Sequence, residues 1–145
     1  MIADIANKSK YSIETKKVQR IIFFLMKNLG LKQNQEVAVT FLNEEEMSQL
    51  HEKWMQESGP TDVMSFRLSE ISDFDYSLGD IVICPKVVER DAKKLKKQPA
   101  LHLAFMLVHG MLHLIGFDHQ KKVDKVKMQE QEQKLMREVE REFIK

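Results

Sequence analysis

An apolar segment at residues 100–115 constrains the fold more than any other part of the chain. It is too short to cross a membrane, which takes about 20 apolar residues. It follows Pro99 directly, and proline is favoured in the first turn of a helix. Because the segment is apolar on nearly all sides, we expect a helix buried at the centre of the molecule, with the rest of the chain packed around it.

The end of this segment reads HGMLHLIGFDH, from His109 to His119. His109 and His113 are four residues apart, which places both rings on one helix face about 6 Å apart along the axis. Gly116 predicts a left-handed helix end, so the chain can turn back and bring His119 to the same point. Three neutral imidazoles leave one position of a tetrahedral zinc open, as in catalytic sites. Asp118 is predicted to accept the N–H of a ligating histidine.

The remaining patterns predict the element order β-α-β-α-β-β-α-α-α. We expect strands at 1–6, 36–42, 63–66 and 78–84, and helices at 13–29, from 43, at 86–97, from 99 and from about 122. Ser12 is the predicted N-cap of the first helix, and Asn43 followed by three glutamates predicts a capping box for the second. The acidic segment 69–77 is predicted to be a hairpin-like connection. The prediction is therefore a single α+β domain, 1–145, with a small mixed sheet of about four strands, about five helices and a metal site at the end of the central helix.

Composition favours a globular protein of a reducing compartment. Hydrophobic residues make up 43% of the chain and charged residues 31%. The N-terminus lacks the basic and apolar blocks of a signal peptide, and Cys84 is the only cysteine, so no internal disulfide is expected. We expect a cytoplasmic protein with no membrane association, in which Cys84 is a small buried residue.

Charge is unevenly distributed along the chain, although the total is only +1. The net charge is +4 over residues 1–42, −8 over 43–80, +3 over 81–119 and +2 over 120–145. Such segregation suits a protein with one polyanion-binding face, and it also occurs by chance in soluble domains.

The segment 109–119 resembles the signature of the YbeY family, bacterial metal-dependent endoribonucleases of ribosomal RNA maturation. That signature reads His-Gly-x-Leu-His-Leu-x-Gly-Tyr-Asp-His, and Phe117 replaces the tyrosine here. PTDVMSF at 60–66 resembles the family's Pro-Thr-Asp-Val-Leu-Ser-Phe block, and LGDIVIC at 78–84 resembles its Leu-Gly-Asp-Ile strand. The resemblance implies that His109, His113 and His119 bind one zinc ion, with no small-molecule cofactor. It also implies ribosomal RNA as the substrate, and the ribosome or its assembly factors as partners.

Two positions depart from the family pattern. Many members carry an arginine shortly before the Pro-Thr-Asp block, where it is proposed to contact RNA, and Met55 matches that position here. The proline that usually follows Ser-Phe is Arg67 in this chain. Arg67 is therefore either a replacement phosphate contact or an ordinary surface arginine.

The residues next to the histidines bear on the class of reaction. A metalloprotease of the His-Glu-x-x-His kind uses the glutamate after its first histidine as general base, and Gly110 occupies that position here. Peptide hydrolysis is therefore disfavoured. Asp118 and Asp62 are the remaining candidate carboxylates; a supporting or capping role is the simpler interpretation of Asp118, and a turn carboxylate that of Asp62.

His102 and a basic helix complete the candidate residues. His102 lies on the same face as His109 but about 10 Å away along the axis, too far for one ion, and we expect a hydrogen-bonded core histidine. The helix 86–97 carries the best phosphate-contact surface in the sequence, although it also fits a plain solvated face. The candidate RNA contacts are Arg90, Lys93, Lys94, Lys96 and Lys97, together with Arg67.

Three functions follow from these patterns. The first is a zinc-dependent, single-strand-specific endoribonuclease acting on ribosomal RNA. The second is another zinc hydrolase, such as a peptidase, and the third is a ribosome-associated RNA-binding factor whose metal is mainly structural. The missing carboxylate at Gly110 argues against the second, and Met55 keeps the third open.

Overall fold

The computed structural model describes residues 1–57, 59, 61–67, 77–117 and 121–144. The strands are β1 (Ile2–Asn7), β2 (Glu36–Phe41), β3 (Val63–Arg67) and β4 (Ser77–Ile83). The helices are α1 (Thr15–Asn28), α2 (Glu44–Met55), α3 (Pro85–Lys94), α4 (Pro99–Leu114) and α5 (Lys122–Phe143). The predicted α+β class with four strands and five helices is confirmed. The predicted hairpin-like connection lies, apart from Ser77, outside the described residues.

The four strands form one mixed sheet in the order β1-β2-β4-β3. β1 pairs parallel with β2 and β2 pairs parallel with β4, whereas β3 runs antiparallel to β4. Parallel neighbours need a crossover connection, and α1 supplies the one between β1 and β2. The central strand β4 is largely buried, as expected for a strand covered on both faces.

Helix α4 is the central helix that the apolar segment predicts. It contacts β3, β4, α1, α3 and α5, and most of its side chains are buried. At Gly110 the helix approaches the sheet so closely that an added Cβ would lie 3.0 Å from Cγ2 of Ile81 on β4. The missing side chain at position 110 therefore brings helix and strand together, and it fixes which face of α4 is turned away from the sheet.

The N-terminal caps of α1 and α2 differ from the prediction. The N-cap of α1 is Glu14, not Ser12, because the N–H of Thr15 bonds to the carbonyl of Ile13 in a tight turn that leaves Ile13 outside the helix. Asn43 is the N-cap of α2, but its side chain makes no capping bond. Its Oδ1 instead accepts the N–H of Lys10 at 2.9 Å, so the predicted capping box is wrong.

Helix α3 ends earlier than the predicted residue 97. Lys96 adopts a left-handed conformation with φ of 56°, and the N–H of Lys97 bonds to the carbonyl of Ala92 at 2.9 Å. This Schellman-type ending turns the chain away from the helix axis. Leu95, which follows the last turn of α3, is consequently 55% exposed.

Two further elements bear on the site. Helix α5 is mostly polar but contacts α4, and its buried residues include Met128, Leu135 and Val139. Trp54 of α2 is 58% exposed and meets Phe66 of β3 edge-on, with ring centroids 6.0 Å apart. None of the described helices has both the length and the apolar character that crossing a membrane requires.

Gly79 on β4 supports a first prediction. Its φ is +143°, and a Cβ there would collide with the carbonyl oxygen of Phe66 on β3. Gly79→Ala should lower the free energy of unfolding by about 3 kcal/mol or more, because both backbone strain and overlap are introduced. Urea denaturation followed by circular dichroism measures this loss.

Gly30→Ala is the matched control for that measurement. Gly30 also has a positive φ, of +70°, but no atom lies within 4 Å of its built Cβ. We expect a loss of only about 1 kcal/mol, from backbone strain alone. Equal losses at the two positions would show that contact with Phe66 is not what requires glycine at position 79.

Candidate functional site

His109 and His113 face each other across one turn of α4. Their Nε2 atoms are 3.1 Å apart, and their ring centroids are 4.6 Å apart in an edge-to-face arrangement. Two nitrogens bound to one tetrahedral zinc at about 2.0–2.1 Å lie about 3.3–3.4 Å apart. The two rings are therefore arranged so that they could hold one metal ion with little movement, as their spacing in the sequence predicts.

A buried carboxylate on α5 supports this pair. Oε2 of Glu132 lies 3.1 Å from Nδ1 of His109, and Glu132 is only 6% exposed. A carboxylate accepts a hydrogen bond from Nδ1–H, which leaves the lone pair of Nε2 directed at His113. The contact with Glu132 therefore favours the ring orientation and the tautomer that a metal ligand needs.

The sequence analysis missed Glu132, although a signal for it was present. The apolar stripe of α5 comprises Met128, Leu135 and Val139, and position 132 falls on the same helical face. A charged residue in a buried stripe is rarely tolerated without a partner. The interruption of that stripe by a glutamate could therefore have indicated a partner on α4.

The turn that follows α4 has the predicted form. Gly116 has a φ of +105°, and its N–H bonds to the carbonyl of His113. The N–H of Phe117 bonds to the carbonyl of Leu112 at 2.9 Å. This is a Schellman ending, which reverses the chain direction after the second histidine. The predicted third ligand, His119, and its neighbour Asp118 lie outside the described residues, so their roles stay predictions.

A cleft of about 360 Å³ opens between α4, α5 and the start of β3. One of its sides carries His109 and Glu132, and Asp62 lies at the β3 end. Lys125 of α5 supplies a positive charge at the edge of the cleft. The other lining residues are Val63, Phe105, Met106, Met128 and Gln129.

The predicted RNA-contacting cations have different environments. The guanidinium of Arg67 lies beside Gly116, because a Cβ built there would be 3.4 Å from its nitrogens. Lys97 lies over the ring of Phe105, a cleft residue, with its Nζ 5.4 Å from the ring centroid.

Two of the other predicted cations lie near glutamates. Arg90 is 3.9 Å from Glu44, and Lys93 is 4.0 Å from Glu89. Arg67 and Lys97 are therefore near the histidines or the cleft, and their contacts with RNA stay predictions, as do those of Arg90, Lys93, Lys94 and Lys96.

His102 is buried as predicted, but the predicted hydrogen bond does not occur. It is only 4% exposed, and neither ring nitrogen has a hydrogen-bond partner in the described part of the chain. An unpaired buried polar group costs about 1–3 kcal/mol. Burial lowers the pKa of His102, so the ring is neutral at physiological pH. One ring nitrogen lies within 4.8 Å of a carboxylate oxygen of both Asp62 and Asp91, a grouping that the sequence analysis did not predict.

Gly110, Cys84 and Met55 contribute no reactive group to the cleft. Gly110 faces Ile81 of the sheet, so a carboxylate at this position would have no room on that side. Cys84 is fully buried, as predicted, and this burial raises the pKa of its thiol. Met55, which the family resemblance matches to an arginine, is exposed at the end of α2.

Comparison with known proteins agrees with these features. The model of the family described as Endoribonuclease YbeY matches residues 4–140. The chain belongs to the YbeY family. The matched region includes both α4 histidines and Glu132 of α5.

Individual relatives cover most of the chain. Endoribonuclease YbeY of Bifidobacterium animalis is 34% identical over 125 residues, which is 82% of this chain and 69% of that protein. The protein of the same name from Beutenbergia cavernae is 31% identical, over 94% of this chain and 95% of its own length. The solution structure of TM1509 from Thermotoga maritima superposes with a TM-score of 0.70 at 27% identity, over 98% of this chain and 91% of that one. The two proteins named Endoribonuclease YbeY and the family model confirm the family resemblance seen in the sequence.

The contact between His109 and Glu132 supports a second prediction. In metal-free protein with a neutral His109 ring, the proton should lie on Nδ1, beside the carboxylate of Glu132. Replacing the acceptor with Glu132→Met should raise the population of the Nε2–H tautomer. Long-range ¹H–¹⁵N NMR of protein labelled at histidine nitrogens distinguishes the two forms.

Glu130→Met is the control for this measurement, because Glu130 is exposed on the same helix and the charge change is identical. The His109 signals of this variant should match those of the wild type. An Nε2–H tautomer in the wild type would contradict the proposed orientation by Glu132.

Proposed function

We propose that this protein is a zinc-dependent endoribonuclease that cleaves single-stranded RNA. Its proposed role is maturation of the 3′ end of 16S ribosomal RNA and ribosome quality control in the cytoplasm. Ribosomal RNA, with the ribosome or ribosome-assembly factors, is the proposed partner. The observation that carries the proposal is the facing pair of Nε2 atoms on His109 and His113, in a chain of the endoribonuclease YbeY family.

The donor set proposed for zinc is His109, His113 and His119. The 3.1 Å separation of the first two Nε2 atoms supports a shared ion, and the Schellman turn at Gly116 supports a return of the chain toward them. Neutral imidazoles suit zinc well. A zinc ion bound there would lower the pKa of a coordinated water to about 7 and polarise a phosphoryl oxygen.

Side chains around the histidines are proposed to orient the metal ligands and to bind the RNA. Glu132 holds the ring of His109 in place and keeps its Nδ1 protonated, and Asp118 is proposed to do the same for a neighbouring ligand. Lys125, which lines the cleft, and Lys97, which lies over the ring of Phe105, are proposed to bind RNA phosphates. Arg67, beside Gly116, is proposed to hold the phosphate next to the cleaved bond, and it would replace the family arginine absent at Met55.

The absence of a peptidase general base at Gly110 and the nearby cationic side chains favour RNA over a peptide as substrate. The side of α4 that carries Gly110 packs on Ile81, so the general base of a His-Glu-x-x-His peptidase has no equivalent there. Phosphate contacts by lysine and arginine position a nucleic acid without reading its bases. We therefore expect preference for single-stranded RNA with little sequence specificity.

Removing His113 tests the proposed metal chemistry. His113→Ala should weaken zinc binding by more than about 100-fold, because one direct ligand is removed. Cleavage of a single-stranded RNA should fall by at least about 100-fold, while RNA binding should change little. Metal analysis, gel-based cleavage and fluorescence anisotropy on the same preparation measure the three quantities.

His51→Ala is the matched control, because His51 is a partly buried histidine of α2 that bonds to the carbonyl of Gly59. It should retain zinc and cleavage. If His113→Ala loses zinc but cuts RNA normally, the metal is structural and the catalytic part of the proposal is wrong. If purified wild type cleaves no RNA with zinc bound, the nuclease activity itself is contradicted.

The basic residues near α3 support a further prediction. Changing Lys93, Lys94, Lys96 and Lys97 together to glutamine should weaken RNA binding and leave the zinc content unchanged. The dependence of log affinity on log salt concentration should become shallower by about 0.7 for each RNA phosphate that is no longer neutralised by a lysine. Anisotropy titrations at several salt concentrations measure this slope.

A second quadruple variant controls for net charge. Lys8, Lys10, Lys16 and Arg20 are exposed cations in the N-terminal part of the chain, and changing them to glutamine alters the total charge equally. This variant should bind RNA almost as the wild type does. Equal weakening in both variants would show that overall charge, not the surface near α3, attracts the RNA.

A further inference from the structure

Asp62, Asp91 and His102 meet although they come from three separate parts of the chain. Asp62 directly precedes β3, Asp91 lies on α3, and His102 lies on α4. One ligand atom from each residue lies within 4.8 Å of the other two. Nothing about the histidine pair, which lies farther along α4, requires these three residues to converge.

His102 is the part of this cluster that indicates a ligand. The side chain is almost completely buried, and both ring nitrogens lack a hydrogen-bond partner among the residues that the structure describes. Burying an imidazole in this way is unfavourable unless another group satisfies a nitrogen. Its neutral ring has a nitrogen lone pair near the two carboxylates. Three electron-rich groups that converge in this way form a donor set for a cation.

Within the described part of the chain, the two carboxylates have no ion pair with a lysine or arginine. Over the described ranges, no lysine or arginine nitrogen lies within ion-pair distance of Asp62 or Asp91, and Lys97 instead lies over Phe105. Oδ1 of Asp62 accepts the N–H of Val63 at 2.8 Å and the hydroxyl of Thr61 at 3.3 Å. These bonds orient the carboxylate and leave Oδ2 available for a ligand.

We propose that Asp62, Asp91 and His102 form a second metal site, which binds a divalent transition-metal ion. Two carboxylate oxygens and one imidazole nitrogen are the mixed donor set that Mn²⁺ and Zn²⁺ accept, whereas Mg²⁺ and Ca²⁺ prefer oxygen alone. The charges of the two carboxylates balance those of the ion. Ligand atoms around such an ion lie about 3–4 Å apart, so small side-chain movements close the site.

The position of the site indicates what the ion does. Asp62 lies in the same cleft as His109, and His102 lies about 10 Å before His109 along the axis of α4. That separation is too large for two ions to share one phosphoryl group, which takes about 3.5–4 Å. The second ion instead neutralises the acidic end of the cleft and ties the start of β3 to α3 and α4. The existence of the second metal site does not depend on the proposed function. Only the effect of its ion on RNA rests on that function.

Manganese titration tests the site directly. Protein stripped with a chelator is reloaded with one equivalent of zinc and then titrated with Mn²⁺, with free Mn²⁺ read from its electron paramagnetic resonance signal. Wild type should bind one Mn²⁺ per chain. Asp91→Asn should weaken this binding at least 10-fold, because one of three ligands loses its charge. Glu89→Gln, an equal charge change on the same helix, should not weaken it.

Two further variants separate this site from the histidine pair. His113→Ala should lose zinc but retain Mn²⁺ binding at the second site. His102→Gln should retain zinc but lose Mn²⁺ binding. Mn²⁺ should raise the melting temperature of wild type and Glu89→Gln but not of Asp91→Asn, a readout that needs no RNA activity. The second site would be overturned if Asp91→Asn binds Mn²⁺ as the wild type does. It would also be overturned if Mn²⁺ binding is lost in His113→Ala and in no other variant. Loss of RNA cleavage with Mn²⁺ binding intact would count only against the proposed function.

Discussion

The enclosure of α4 is the constraint on which the rest of the structure depends. A helix that is apolar on nearly every side must be removed from water on every side, and the chain does this with the sheet, α1, α3 and α5. This enclosure buries His102 and partly buries His109 and His113. Glu132 lies 3.1 Å from Nδ1 of His109, whereas neither nitrogen of His102, near Asp62 and Asp91, has a hydrogen-bond partner among the described residues. The chemistry of the cleft is thus a consequence of burying polar rings in an apolar core.

The rigidity of this framework matters for the geometry of the histidine pair. His109 and His113 are fixed by the helix backbone, and Gly110 between them is held against Ile81 of the sheet. A second helix, α5, supplies Glu132 from the opposite side. Side chains supported in this way lose little freedom when they bind a ligand, which favours affinity. The arrangement also explains why so polar a helix as α5 packs closely on the core.

Periodic features of the sequence were sufficient for much of this architecture. The apolar segment predicted α4, the spacing of His109 and His113 predicted their shared face, and Gly116 predicted the turn after them. Contacts between distant residues were not predictable in the same way. Asn43 looked like a capping residue but bonds to Lys10, and His102 looked like a hydrogen-bonded core residue but lies beside Asp62 and Asp91. Local patterns report local geometry, whereas these contacts arise only when separate elements pack together.

The exposed position of Trp54 has a practical consequence for spectroscopy. It is the only tryptophan of the chain, and it lies at the surface against the edge of Phe66 rather than in the core. An indole that is already 58% exposed in the native state emits at long wavelength, so its emission maximum shifts little when the core unfolds. The same indole touches β3, the strand that follows Asp62, and β3 borders the cleft. Intrinsic fluorescence is therefore a poor reporter of global unfolding in this protein and a selective reporter of events at the β3 end of the cleft.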